Sequence, residues 1–301
     1  MCWNDCEGLT FFIACKIIIF LNQFAYVYNK LNFKKSLLYL LVTDNCLLIT
    51  VYMDTYFFYP DLELGQQITL PEEEAKHLKT LRVREGDFLD IVNGKGILAK
   101  GKVLSPNVKN SLIEITQIVS TEAKRPFYIH VAVAATKSSD RIEWFLEKAI
   151  EIGIDEISFI ETSRSEYNHL KSDRLVKKSI AAIKQSLRAT LPRINPPKEF
   201  KDFIKKYHSD RKNQTKHGEE TLEIQRFIAY TPTDTNAVLE NCATKNAYYL
   251  VLIGSEGGFS PEEVHQAQQS GFECVSLGEY RLRTETAALY SCMALNSLNR
   301  K

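Results

Sequence analysis

Two short stretches hold the residue types best suited to chemistry. One is "LVLIGSEGGFSPEEV" (250–264); the other is "SLGEYRLRTETAAL" (276–289). The first is an apolar run that stops at Gly254 and restarts as a helix. Ser260 suits an N-cap, Pro261 the first helical position and Glu263 a capping box, and Gly271 is placed to end the helix. The pair Gly257-Gly258 lets backbone approach a ligand with no Cβ in the way. The second stretch also ends a strand at a glycine, Gly278, and then presents Arg281 and Arg283 ahead of a helix that opens "TETAAL". Thr284 is placed to cap that helix. Glu285 and Thr286 fall in its first turn, where the dipole favours a carboxylate. Two arginines beside a glycine turn point to anion recognition.

Three familiar phosphate or nucleophile motifs fail here. The glycines at 254, 257 and 258 do not have the dinucleotide-fingerprint spacing, and no Lys-Ser/Thr follows them as a Walker loop requires. Ile253 stands where a nucleophile elbow around Ser255 needs glycine, which argues against a covalent serine mechanism. Taken alone, 250–264 reads equally well as a tight packing turn or as a binding loop.

The flanking elements decide where these turns lie. From Met53 to about Thr121 short strand-like runs ("TYFFYP", "QQITL", "DFLDIV", "GILAKGKVL", "SLIEITQIV") alternate with turn signals. One helix at about Glu72–Leu81 interrupts them, and the pattern suggests a small barrel. After "TEAKRP" the pattern changes to strand–helix alternation. "FYIHVAVAAT" reads as a strand buried on both faces, followed by a helix in "SSDRIEWFLEKAIEIG" with Gly153 at its C-cap. "DEISFIET" is a strand, about Ser172–Leu187 a helix, "LPRINPP" a break, "EFKDFIKKY" a helix and "SDRKNQTKHGEETLE" a polar loop. "IQRFIAYTP", "AYYLVLIG" and "ECVSLG" are further strands, separated by helices, and the last helix starts near Thr284. This alternation means an α/β domain with a parallel sheet. In such sheets ligands sit at the carboxyl ends of the strands, where both turns lie.

The 301 residues carry a net charge of +1, so any nucleic-acid site must be a local patch and not a global field. Four of the seven cysteines fall within residues 1–52, which also hold two apolar stretches, about 9–28 and 36–52. Lys16, Asn22, Gln23, Asp44 and Asn45 interrupt these stretches, which weakens a membrane-span reading, and no small-residue cleavage site follows the first. The favoured expectation is that 1–52 lies upstream of a start at Met53, with a membrane anchor as the minor alternative. Cys242, Cys274 and Cys292 are scattered and no metal-ligand spacing occurs, so a reduced, cytoplasmic, metal-free protein is expected.

The two opening stretches together closely resemble the C-terminal signature of the RsmE family, 16S ribosomal RNA methyltransferases of the SPOUT superfamily that act on uridine N3. Three further segments carry the resemblance: "KHLKTLRVREGD" (76–87), "EKAIEIGIDEISFIETSRS" (147–165) and "KQSLRATLPRI" (184–194). It therefore spans essentially Met53 to the end. It implies a PUA-like β-barrel at 53–122, followed at 123–301 by a SPOUT-type α/β parallel sheet with a C-terminal trefoil knot. It also implies S-adenosyl-L-methionine as methyl donor, a homodimer, no membrane partner, and 16S rRNA of the small ribosomal subunit as substrate. Two departures stand out. Ser255 replaces the family's usual proline, and Tyr280-Arg281 stand where Arg-Ile is common.

On that resemblance, backbone of Leu252, Ile253, Gly254, Gly257, Gly258, Ser276, Leu277 and Gly278 is expected to hold the adenosine, with Leu282 against the adenine and Thr286 nearby. Uracil N3 is a weak acid that must lose its proton to attack the methyl group, so an arginine that favours the anion is needed. Arg283 is the candidate. Glu285 either orients Arg283 or takes the proton; the helix N-terminus lowers a carboxylate's basicity and favours orientation. Ten basic residues against three acidic ones lie between Arg164 and Lys201, and Lys76, Lys79, Arg82 and Arg84 cluster in the barrel segment. Lys76, Lys79, Arg82, Arg84, Arg164 and Arg188 are the expected phosphate contacts. His77 reads as structural. The rival readings are a non-catalytic RNA-binding protein of the same fold, or a methyltransferase acting on a different RNA.

Overall fold

The computed structural model describes residues 38–43, 46–51, 55–121, 124–134, 136, 138–165, 172–209, 213–218, 220–230 and 237–300. The chain divides into two units, 1–54 and 55–301. In the first, β1 (Leu38–Thr43) and β2 (Cys46–Val51) pair as an antiparallel hairpin, Leu38 opposite Val51. It occupies most of the second apolar stretch, where a span was weighed; the first stretch lies outside the described residues. No described helix is long and apolar enough to cross a membrane.

The second unit opens with a five-stranded sheet in the order β3 (Phe57–Phe58), β5 (Phe88–Val92), β6 (Ile97–Ser105), β7 (Leu112–Thr121), β4 (Gln67–Ile68). Three register shifts between β6 and β7 mark the bulges by which such a sheet curls. Helix α1 (Glu72–Thr80) lies between β4 and β5 and buries Ala75 and Leu78.

A larger sheet follows. β8 (Tyr128–Ala134), β9 (Glu156–Glu161), β10 (Arg193–Glu199), β12 (Glu220–Ala229) and β13 (Tyr248–Ile253) run parallel in the order β10-β9-β8-β13-β12. The far edge of β12 is divided. β11 (Gln214–His217) pairs antiparallel with its start, and β14 (Glu273–Val275) pairs parallel with its end. All six residues of β13 are buried, as a run with no polar alternation requires. α2 (Ser139–Ile152) covers one face with Ile142, Phe145, Leu146, Ala149 and Ile150, and Gly153 closes it in the left-handed region at φ 115°. α7 (Thr284–Leu298) packs on that same face, placing Ala288, Cys292 and Leu295 in one cluster with Val131 and Val133. Phe200, Phe203 and Ile204 of α4 (Phe200–Lys206) cover the other face with Phe259 and Val264.

Two elements differ from the sequence expectation. "LPRINPP", read as a break, holds most of edge strand β10 (Arg193–Glu199); its prolines sit at a register shift between Asn195 and Lys198, where no ladder donor is needed. The polar loop after α4 contains β11 and the start of β12, a solvent-exposed hairpin whose residues alternate too weakly in polarity to announce a strand. α3 (Ser172–Gln185) ends two residues before the expected Leu187.

The five-stranded sheet and the α/β layer belong to one unit. Lys184 of α3 meets Glu74 of α1 at 2.6 Å, and Thr190 bridges to Gly94 and Lys95.

Candidate active site

The carboxyl ends of β12, β13 and β14 open onto one cleft of about 480 Å³. Residues 253–259 form one wall and 277–282 the other, with Ala229 and Tyr230 from β12 between them. The first wall is a tight turn: Gly258 N–H donates to Ser255 C=O at 2.8 Å, and Gly258 sits at φ 68°. The turn then enters α6 (Pro261–Gln269) through the expected capping box, in which Ser260 accepts from Glu263 N–H and Glu263 accepts from Ser260 N–H. Gly254 is required for the chain to pass itself. A Cβ there would lie 3.1 Å from the Gly258 carbonyl carbon and 3.2 Å from Phe259 N.

The two walls are tied together by side chains. Thr284 Oγ1 donates to Gly254 C=O at 3.0 Å, so this threonine links the crossovers; it does not cap α7, whose N-cap is Arg283 with no side-chain cap bond. The Arg281 guanidinium donates to Glu256 C=O. Ser276 Oγ accepts from Gly278 N–H at 3.2 Å and donates to Gly278 C=O at 3.0 Å, holding Gly278 at φ 121°.

Arg164, expected to touch RNA, instead braces the first wall. Its guanidinium donates to Gly257 C=O at 2.9 Å and to Phe259 C=O at 3.4 Å. Ser255, 7% exposed, returns the contact: its hydroxyl donates to Arg164 C=O at 2.9 Å. A proline at 255 could not make that bond, so the departure noted in the sequence has a structural function.

Of the expected cofactor residues, Ile253, Gly254, Gly257, Gly258, Leu277, Gly278 and Leu282 line the cleft together. Leu252, Ser276 and Thr286 are not among its lining residues. Leu252 points into the opposite core, and Ser276 N–H and C=O are engaged with Ala237 and Leu239. Thr286 is exposed on α7. Sequence reasoning missed Arg164, Ala229, Tyr230, Thr284 and Ala287 as lining residues. Ala229 and Tyr230 could have been named, because they end a parallel strand.

Glu285 is 7% exposed at the start of α7, and its Oε2 has no hydrogen-bond partner. Its charged neighbour is Arg141 of α2, whose Nε lies 3.8 Å from Glu285 Oε1 and whose Nη1 lies 3.2 Å from Glu256 Oε1. The pairing weighed for Arg283 is not formed: Arg283 is exposed and has no ion pair among the described residues. Among the described residues no group of His, Cys, Asp and Glu could hold a metal ion.

Comparison with known proteins gives this chain a family. The family model of the RNA methyltransferase domain matches residues 123–296, and that of the RNA methyltransferase PUA domain matches 70–116. The chain belongs to the RNA methyltransferase family. Ribosomal RNA small subunit methyltransferase E of Mesomycoplasma hyopneumoniae is 28% identical over 78% of this chain and 96% of the relative. The Bacillus subtilis protein of that name is 25% identical over 78% and 91%. A probable rRNA-methyltransferase from Porphyromonas gingivalis is 35% identical, with TM-score 0.68 over 81% of this chain and 98% of that one. Ribosomal RNA small subunit methyltransferase E from Neisseria gonorrhoeae, a structure bound to S-adenosyl methionine, is 26% identical with TM-score 0.69 over the same shares.

In this methyltransferase the remaining expected RNA contacts are scattered. Lys76 pairs with Glu72 at 2.6 Å on the exposed face of α1, while Lys79, Arg82 and Arg84 are exposed nearby. Arg188 turns inward and donates to Ile150 C=O at 2.9 Å and Ile154 C=O at 3.2 Å, capping the end of α2. At the opposite end of the sheet from the cleft, fully buried His130 sits between Tyr248 OH (Nδ1, 2.8 Å) and Ser158 Oγ (Nε2, 2.7 Å). Burial lowers its pKa to about 4, so the ring is neutral at pH 7.

Proposed function

We propose that the protein transfers a methyl group from S-adenosyl-L-methionine to N3 of a uridine in 16S rRNA of the small ribosomal subunit. One observation carries this reading: the two crossovers meet in a single cleft, joined through Thr284 and Gly254. The cleft suits a nucleoside with an apolar arm. Ile253, Leu277 and Leu282 give it an apolar side, and the turns at Gly258 and Gly278, where an added Cβ would meet nothing within 4 Å, present open backbone. The bound cofactor supplies an already activated methyl group.

The residues of this chain then have separate roles. Gly257, Gly258, Leu277 and Gly278 hold adenosine through the turns, while Leu252 and Ser276 support those turns from behind. Arg283, exposed beside the cleft and without an ion pair among the described residues, reaches the uracil carbonyls and stabilises the N3 anion. Glu285, held at one oxygen by Arg141, is a positioning residue at the helix start. Lys76, Lys79, Arg82 and Arg84 meet RNA phosphates, and Arg164 and Arg188 act by bracing. The chain is organised as a PUA-like barrel at 53–122 and a methyltransferase domain at 123–301, whose last crossovers form a trefoil knot. It works as a homodimer, and exposed Met293, beside a shallow groove along α7, offers an apolar face to a second copy.

The test is direct. The purified protein should bind S-adenosylhomocysteine by calorimetry and methylate small subunits that lack the modification, and mass spectrometry of the digested RNA should show N3-methyluridine. Methylation of free uridine-rich RNA in preference to subunits would overturn the ribosomal assignment, and no transfer to either would overturn the reaction.

A further inference from the structure

The basic residues of α3, part of the basic run between Arg164 and Lys201, are largely ion-paired. Arg174 pairs with Glu143, Lys177 with Glu73, Lys178 with Glu147 and Lys184 with Glu74. Positive charge gathers elsewhere, at the amino-terminal edge of the sheet. Two cavities of about 220 and 160 Å³ abut there and share Tyr128, Arg193 and His217. Seven Lys or Arg residues line the pair against two acids, Asp155 and Glu156. Both acids are already engaged: Asp155 pairs with Arg125, and Glu156 accepts from Asn195 Nδ2 at 2.6 Å and Tyr128 OH at 3.1 Å. Glu156 keeps its charge and offsets part of the field of Arg193, but seven cations against two acids leave the groove net positive, and Lys124, Arg193 and Lys216 have no ion pair among the described residues.

The groove is built from distant parts of the fold. Lys95, which pairs with Asp61 at 3.0 Å, comes from the β5–β6 turn, and the aliphatic stem of Lys124 lies against Gly218 in the β11–β12 turn. Arg193 opens β10 and Lys216 is exposed on β11. Tyr128 stacks on Tyr248 at 4.9 Å and 9°, forming a rigid floor. An open track with cations along its length fits a chain of phosphates better than one small anion, which would use a single end of it.

We propose that this groove is a second contact for RNA backbone, at the opposite end of the strands from the cleft. It seats the sugar-phosphate chain of the same substrate, so that the target nucleotide is delivered with the flanking RNA already held. The proposal rests on the RNA methyltransferase reading above. It predicts an effect on RNA affinity with none on cofactor binding or on the chemical step.

The experiment compares the intact wild-type protein with K124Q/R193Q/K216Q, and with R174Q/K177Q/K178Q, which removes equal charge from the ion-paired face of α3. Each lost phosphate contact lowers the log–log salt slope of RNA binding by about one, so the groove variant should lose about three and raise KM for unmethylated subunits tenfold or more. Its kcat and its affinity for S-adenosylhomocysteine should match wild type, and the α3 variant should keep the wild-type slope. Equal slopes and KM for wild type and the groove variant would overturn the proposal, as would equal losses in both variants. Inactive wild-type protein would instead defeat the functional reading itself. If the groove variant unfolds, hydrogen exchange on wild-type protein decides: single-stranded RNA should protect 193–198 and 213–218, whereas protection by inorganic phosphate alone, or none, rejects an RNA track.

Discussion

Replacing Ser255 with alanine removes one hydroxyl, and the structure sets what that is worth. Three hydrogen bonds stitch the first wall of the cleft to the end of β9: two from the Arg164 guanidinium to Gly257 and Phe259, and one from Ser255 Oγ back to Arg164 C=O. The last is at 2.9 Å and its donor is almost fully buried. A net hydrogen bond of this kind contributes about 1 kcal/mol, and an unsatisfied partner raises the cost toward 2 kcal/mol. For a unit of this size that lowers Tm by roughly 2–8 °C. If the wall must be in place before the cofactor binds, the same energy weakens S-adenosylhomocysteine binding about fivefold or more. Ser255→Pro gives a contrasting case. It also loses the hydroxyl, but a proline in a compatible turn stabilises by about 0.4–1 kcal/mol through the unfolded chain, so it should fall between alanine and wild type. Differential scanning calorimetry with and without S-adenosylhomocysteine reads both effects. A Ser255→Ala protein with wild-type Tm and affinity would refute the idea that this serine braces the wall.

Gly254→Ala should destabilise by about 1–3 kcal/mol, since its methyl group must displace the Gly258–Phe259 backbone; chemical denaturation measures it. Thr284→Val keeps the shape and removes the bond between the crossovers, costing about 1 kcal/mol and weakening cofactor binding with little change in fold by circular dichroism. Glu285→Gln should keep single-turnover methylation within about tenfold of wild type; a loss of about 100-fold or more would make Glu285 the general base instead. His130 is neutral when folded and free to protonate when unfolded, so stability is full above the unfolded pKa of about 6.5 and declines as pH falls toward 4. His130→Asn should flatten that decline in unfolding experiments at several pH values.

Strong local signals were legible in the sequence. The capping box at Ser260–Glu263, the Gly153 cap and the unbroken apolar run of β13 each declare themselves within a few residues, because local geometry alone demands those residue types. The two turns that wall the cleft could be read as turns for the same reason, but their role in cofactor binding came only from the family resemblance. What joins them could not be read. Arg164 reaches Gly257 from more than ninety positions away, and Arg141 reaches Glu285 from another helix. Charge together with the family resemblance marked Arg164 and Arg188 as RNA contacts; that their guanidinium groups hold backbone carbonyls of other elements was not legible in the sequence. Basic residues on α3 looked free because their acidic partners lie on α1 and α2.

The borders of the large sheet carry a consequence for behaviour at high concentration. An exposed, regular strand edge is a template on which another chain can extend the sheet. Here β10 offers Pro196 and Pro197, which have no N–H to give, and its register breaks across them. The other border, along β12, is shared by a four-residue and a three-residue strand, so neither leaves a long row of open donors. Addition of foreign strands is blocked at both sides. Crowding should therefore not convert the large sheet into a seed for fibrils.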